Sequence, residues 1–160
     1  MATWGEVETA APELATRARA RFESTGLGLL ATVRRDGSPR ICPIEPLFAL
    51  GELWIGMMDG ARKLADLRRD ARLALHAATI DKRVTEGDAK LAGRALEVTD
   101  PALFGRYQDH FRSVNGEVPD GPFPLFRVDL HELSFLAVGG DELLIDVWRE
   151  GAEPFQIRRN

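Results

Sequence analysis

A small antiparallel β-barrel with short helices inserted between its strands is the fold class this sequence predicts, and three observations lead there. Short β-leaning runs, among them LGLLATV, LWIGMM, RLALHA and AKLAGRALEV, recur along the chain with turn signals roughly every 8–12 residues. RRDGS at 34–38 sets an Asp-Gly turn between two extended runs, a strong hairpin signal. The connections read as hairpins rather than repeated crossover helices, which argues against a doubly wound parallel sheet.

The elements follow in order. Residues 1–9 read as a loose lead-in. A helix is expected over 12–24, with Pro12 in its first turn, Leu14, Ala18 and Phe22 along one face and Gly26 as its stop. Strands follow at 27–33 and 40–48; Pro43 and Pro46 cannot donate to a ladder, so the second strand must be bulged or lie at an edge. A third strand runs over 53–58. Asp59 is expected to cap a helix over 61–70 with Leu64 and Leu67 inward. Further strands are read at 72–77 and 89–98, with Gly93 a bulge. Asp100-Pro101 opens a helix over 102–111, and 115–124 is a loop. Strands at 126–130, 132–140 and 142–148 close the core, before a basic tail at 149–160.

The 160 residues allow a single domain over 1–160, with 1–11 as lead-in and 149–160 as a peripheral tail. A formal net charge of −4 argues against a general polyanion-binding field, so no nucleic-acid partner is expected. No apolar run approaches the ~18 residues of a membrane span, and the acidic first residues lack a signal-like stretch. Cys42 is the one cysteine, which excludes an internal disulfide and fits a cytoplasmic, reducing compartment. The histidines His76, His110 and His131 lack metal-ligand spacing, so no metal is expected. No nucleophile elbow, phosphate-binding lysine loop or dinucleotide fingerprint occurs, and the catalytic residues stay unknown.

The most informative segment is MMDGARKLADLRRD at 57–70. Arg62 and Lys63 fall in the first turn of a helix, where the helix dipole disfavours cations. A bound phosphate would offset both, with Arg40 as a third cation. The alternative is that Arg62 pairs with Asp66 one turn on, leaving Lys63 solvated. Around Pro43, backbone groups left unpaired by the prolines can face a flat heteroaromatic ligand; the alternative is a plain edge proline. A phosphate cradle with little acid–base equipment suits an enzyme whose cofactor brings the chemistry, or a passive ligand carrier.

Taken in order, LATVRRDGSPRICPI, LWIGMM, DGARKLADLRRDARLAL and AKLAGRALEV resemble the pyridoxamine 5'-phosphate oxidase-like split-barrel family, whose members bind FMN or, in actinobacterial members, a related deazaflavin coenzyme. The resemblance covers roughly residues 12–148, and ARKLADLRRDARLAL is its most specific part. It implies a mainly β, six-stranded antiparallel split barrel that dimerises through one barrel face, with cofactor sites at the subunit boundary. It implies that Arg62 and Lys63 hold the cofactor phosphate and that Arg40 lies near the ribityl chain. Cys42, Pro43 and Ile44 would pass beside the ring, with Gly56, Met57 and Met58 lining it from the other side. Lys90 would approach the cofactor, and Trp148 and Arg149 would reach the partner subunit's site.

The C-terminal IDVWREGAEPFQIRRN departs from the Arg-x-Arg and Trp-bearing segment with which the true oxidases grip substrate. The expectation is therefore an FMN- or deazaflavin-dependent oxidoreductase moving hydride to or from another small molecule. Arg68, Arg69, Lys82 and Arg83 are available to a deazaflavin's anionic tail, or are ordinary surface charges. The alternative function is a non-catalytic flavin or haem binder, with His110 as the haem ligand; a scaffold that has lost its ligand is a third reading. LGLLATV and RLALHA are apolar on both faces, which independently predicts a homodimer.

Overall fold

The computed structural model describes residues 2–117 and 121–160. The chain does not begin with a loose lead-in. Thr3 and Glu6 form a capping box, with the Glu6 amide donating to Thr3 Oγ1 at 3.3 Å and the Thr3 amide to Glu6 Oε2 at 2.7 Å. Helix α1 (Trp4–Ala10) starts there and buries Trp4 and Val7. Helix α2 (Pro12–Glu23) lays Leu14, Ala15, Ala18 and Phe22 into the core, as the four-residue spacing predicts.

The Asp-Gly turn joins β1 (Gly28–Val33) to β2 (Pro39–Ile44) as an antiparallel hairpin with Val33 opposite Pro39. The run expected as one strand over 40–48 is two, β2 and β3 (Pro46–Ala49), separated by Glu45. Each proline removes a ladder donor, so the run divides between them. Next come β4 (Glu52–Gly56), α3 (Arg62–Arg69), β5 (Arg72–Ala77), β6 (Asp88–Glu97) and α4 (Pro101–Asn115), which runs one turn past its expected end. The loop expected over 115–124 lies partly outside the described residues, at 118–120.

The two strands expected at 126–130 and 132–140 are one, β7 (Leu125–Gly139). Its first part pairs with β4 and its second with β8 (Glu142–Arg149), while β6 runs along the other side. The β6–β7 register shifts between Ala92 and Gly93, at the predicted bulge. The tail forms β9 (Phe155–Arg159), paired to β8; nothing local in EPFQIRRN signals that long-range pairing. All strand pairs are antiparallel, in the order β2-β1-β5-β6-β7-β4-β3, with β8 and β9 branching from β7. Among the described residues the sheet therefore has nine strands rather than six and does not close into a barrel. The proline-bearing strands β2 and β3 are the two ends of the main ladder, where missing donors cost least.

The core lies on the inner face, where Trp4, Phe22, Leu30, Leu53, Ile55, Leu75, Leu91, Leu133 and Trp148 are buried against α1, α2 and α3. A second cluster, Trp54, Tyr107 and Leu125 with Phe104, Phe111 and Phe123, forms where α4 covers the outer face of β3 and β4. The outer face of β2, β1, β5 and β6 receives no helix, and Leu29 and Ile41 stand out from it, 44% and 69% exposed.

Candidate functional site

The site assembles where α3 meets β2. The chain leaves β4 at Gly56, and the Met57 amide donates to the Pro124 carbonyl at 3.0 Å. Gly60, at φ +76°, makes the turn into α3 that an L side chain would strain. The N-cap is Ala61, with no side-chain cap, and not the expected Asp59, whose Oδ1 instead accepts from the Gly60 amide at 3.0 Å. The first turn of α3 thus has amides that no side chain satisfies, and Arg62 and Lys63 beside them. Arg62 is exposed and has no carboxylate partner among the described residues. Lys63 Nζ donates to the Pro43 carbonyl at 3.2 Å, which brings two of the predicted site residues into contact. Leu64 and Leu67 anchor the helix to the core.

Arg62 does not pair with Asp66. The Asp66 carboxylate is buried and already occupied: Arg40 Nε donates at 2.6 Å and Thr32 Oγ1 at 2.9 Å to Oδ2, and Arg69 donates at 3.4 Å to Oδ1. Arg69 also bonds the Val33 carbonyl. Burial pushes the Asp66 carboxyl upward, but the hydrogen bonds from Arg40 and Thr32, the Arg40 charge and the Arg69 bond outweigh it. The group sits below its ordinary value. Arg40 is therefore not a free third cation. Thr32 and Arg40 are cross-strand partners facing inward, and α3 sets Asp66 against both.

The remaining predicted residues divide. Cys42 is half-buried, and Ile44 joins the core. Gly56 lies against Phe123, where an added Cβ would meet the ring at 3.2 Å. Met57 is buried in the core, while Met58 is 81% exposed. Lys90 sits on the bare outer face of β6 opposite His76 and Ser134, two strands beyond β1 and away from α3. Trp148 is buried in the core. Arg149 is held by Glu132 at 2.8 Å and stacks over Phe155. His110 lies on α4. Among the described residues no group of three or more His, Cys, Asp or Glu side chains could hold a metal.

Sequence reasoning missed the hub of Thr32, Asp66 and Arg69. The available signal was an acidic residue next to Leu67 on the inward side of a short helix, a position that demands a cationic partner.

The family model described as pyridoxamine 5'-phosphate oxidase matches residues 14–137. No curated protein matches the chain. A pyridoxamine 5'-phosphate oxidase-related, FMN-binding protein from Nostoc punctiforme is 14% identical at a TM-score of 0.63, with 96% of each chain covered. A heme-binding protein from Mycobacterium smegmatis is 17% identical at a TM-score of 0.62, with 83% of this chain and 57% of the other covered. A conserved hypothetical protein from Mycobacterium tuberculosis is 21% identical at a TM-score of 0.57, covering 72% and 85%. At these identities the likeness is one of fold.

Proposed function

Because the chain belongs to the pyridoxamine 5'-phosphate oxidase family, we propose that it is a flavin- or deazaflavin-dependent oxidoreductase acting on a small molecule as a homodimer. The observation that carries this reading is the uncapped first turn of α3, with Arg62 unpaired by any carboxylate among the described residues and Lys63 anchored on the Pro43 carbonyl. A phosphate monoester fits such a cradle, because it accepts from the free amides and offsets two cations at once. The FMN-binding neighbour from Nostoc supports the cofactor class. The single Cys42, with no disulfide partner, supports a cytoplasmic setting.

In this reading Arg62 and Lys63 hold the phosphate. The backbone of Cys42, Pro43 and Ile44, on a ladder end with unspent groups, lies beside the ring. The bound cofactor supplies the hydride chemistry. The protein's part is position: Asp66 fixes α3 against β1 and β2, and Gly60 lets the chain enter the helix with its amides free. The two-charge cradle does not distinguish FMN from a deazaflavin.

The test is a titration followed by flavin fluorescence. FMN should bind, riboflavin, which lacks the phosphate, should bind far more weakly, and Arg62→Gln or Lys63→Gln should each weaken FMN about tenfold, the scale of one charge-assisted contact. Unchanged FMN affinity in the double variant would overturn the reading. The heme-binding neighbour supports a second reading, a non-catalytic haem carrier using His110. A haem Soret band that vanishes in His110→Ala, with no flavin bound, would favour it.

A further inference from the structure

We propose that Tyr107 and Glu45 form a recognition pair at the mouth of the candidate site, the tyrosine O–H as donor and the carboxylate as acceptor, for the edge of a planar ring that carries C=O beside N–H. Cyclic imides and lactams have such an edge. This deepens the reading above, and it rests on that reading only where the ring is the cofactor's own.

Tyr107 is the one tyrosine of the chain and is 5% exposed. Its ring lies against Trp54, Phe111 and Phe123, with centroids 5.3, 5.8 and 6.1 Å away. A phenol so enclosed has a fixed direction, and a buried tyrosine ordinarily spends its hydroxyl on a partner. Trp54, in the same cluster, does so: its Nε1 donates to the Ala49 carbonyl at 2.8 Å. The Tyr107 hydroxyl has no hydrogen-bond partner among the described residues. Nor is it sealed in. Among those residues Ser134 Oγ is the one buried side-chain polar atom left unpaired, so the Tyr107 hydroxyl comes to the surface.

Where it opens follows from the register. β3 and β4 pair Leu47 with Trp54 and Pro46 with Ile55, so Glu45, one residue earlier, comes level with Gly56. Strand alternation sets Glu45 on the face of Leu47, which packs into the Tyr107 cluster. Phe123 lies over Gly56. Glu45 thus stands at the open end of the cluster. It is exposed, with neither a hydrogen bond nor an ion pair among the described residues. The electrostatics agree: burial first, and then the Glu45 charge, push the Tyr107 hydroxyl up to about 12. At neutral pH it stays an O–H donor, and the two groups adjoin without bonding each other.

The same residues lead to the cradle. Glu45 is two residues from Pro43, whose carbonyl receives Lys63, and Gly56 leads through Met57 into the turn before α3. A donor and an acceptor left open beside an aromatic wall select by pattern. A ketone or ester has no N–H for Glu45, and a carboxylate would meet its charge. Adjacent C=O and N–H groups satisfy both at once. That edge occurs on the pyrimidinedione ring of a flavin and on a separate imide or lactam substrate.

The single tyrosine makes the test specific, because the full chain labelled with 3-fluorotyrosine gives one fluorine resonance. Uracil should shift it, and 1,3-dimethyluracil, which has lost its N–H groups, should not. By calorimetry, Tyr107→Phe, which keeps the ring and removes the hydroxyl, should weaken uracil binding about fivefold, the scale of one neutral hydrogen bond. Glu45→Ala, at an exposed position, should weaken it about twentyfold, the scale of a hydrogen bond to a charged group. If FMN moves the resonance and uracil then cannot, the pair reads the cofactor's ring. If FMN binds and uracil still moves the resonance, the pair reads a separate substrate. The proposal is overturned if neither uracil nor FMN moves the resonance, if dimethyluracil acts as uracil does, or if both variants bind as wild type does. A chain that ignores FMN yet tells the two uracils apart would remove the cofactor reading and leave this one standing.

Discussion

Burying a carboxylate costs several kcal/mol unless counter-charges and hydrogen bonds replace the water it loses. Asp66 meets that condition with one hydroxyl and two guanidinium groups, and in doing so ties α3 to β1 and β2. Asp66→Asn would remove the charge that Arg40 faces, and should destabilise the chain by about 3 kcal/mol at neutral pH. The pH dependence follows from the direction of the shift. The folded carboxyl sits below its ordinary value of about 3.9. The stabilisation is therefore fully present above that value and is lost as pH falls through the lower, folded one. In urea unfolding, the gap between wild type and Asp66→Asn should stay constant from about pH 5 to 8 and narrow below about pH 4. A gap of the same size in strong acid would mean that the ion pair is not its source. The sequence signalled that an inward Asp66 needs a cation, but not which residues supply it. Arg40 and Asp66 are 26 residues apart, and the pairing depends on which face of β2 meets which face of α3. A reading limited to neighbours one turn apart pairs Asp66 with Arg62 instead.

At the scale of elements, what was legible was what local chemistry dictates. The Asp-Gly hairpin, the apolar face of α2, the edge placement of the prolines and the Gly93 bulge all follow from a few adjacent residues. What was missed depends on distant partners. β9 exists because β8 offers it an edge, and β7 runs unbroken because its extra residue, His131, is accommodated as a bulge opposite the Ala92–Gly93 step of β6. The capping box of α1 was local and visible as Thr3-x-x-Glu6, but the polar residues around it hid the buried Trp4 and Val7. Two glycines make the contrast measurable. A Cβ on Gly93 would lie 2.4 Å from the Asp129 carbonyl oxygen and 3.1 Å from Val128 Cγ1. Backbone cannot swing aside as a side-chain tip can, so Gly93→Ala should cost about 2–3 kcal/mol. Gly105, inside α4, has open space where a Cβ would go. Gly105→Ala should stabilise the chain by about 0.5–1 kcal/mol, through helix propensity alone. Urea denaturation of the two variants checks both signs; a Gly93→Ala chain as stable as wild type would remove the bulge from its structural role.

Over the whole molecule, charge is divided in a way that the net value of −4 conceals. Residues 34–40 carry Arg34, Arg35 and Arg40 against Asp36, and residues 59–72 carry Arg62, Lys63, Arg68, Arg69 and Arg72 against Asp59, Asp66 and Asp70. Each segment is +2, together +4, so the rest of the chain is −8. The hairpin turn and α3 both adjoin the β1–β2 edge, and the positive charge is gathered at that end. Within this end Asp66, Asp70 and Glu97 are spent on Arg40, Arg72 and Arg68, so the field left over is largely that of Arg62, Lys63 and the hairpin arginines. An anion approaching an otherwise acidic protein is steered to one place, and steering between exposed charges is screened by salt beyond a Debye length of about 10 Å at 0.1 M. Raising sodium chloride from about 0.05 to 0.5 M should therefore weaken FMN binding several-fold, mostly through slower association, as stopped-flow fluorescence would show. Riboflavin, without the phosphate, should show no such dependence, and the Arg62→Gln, Lys63→Gln double variant should lose most of it. If FMN and riboflavin respond to salt alike, the cations of α3 do not receive the phosphate, whatever else the fold binds.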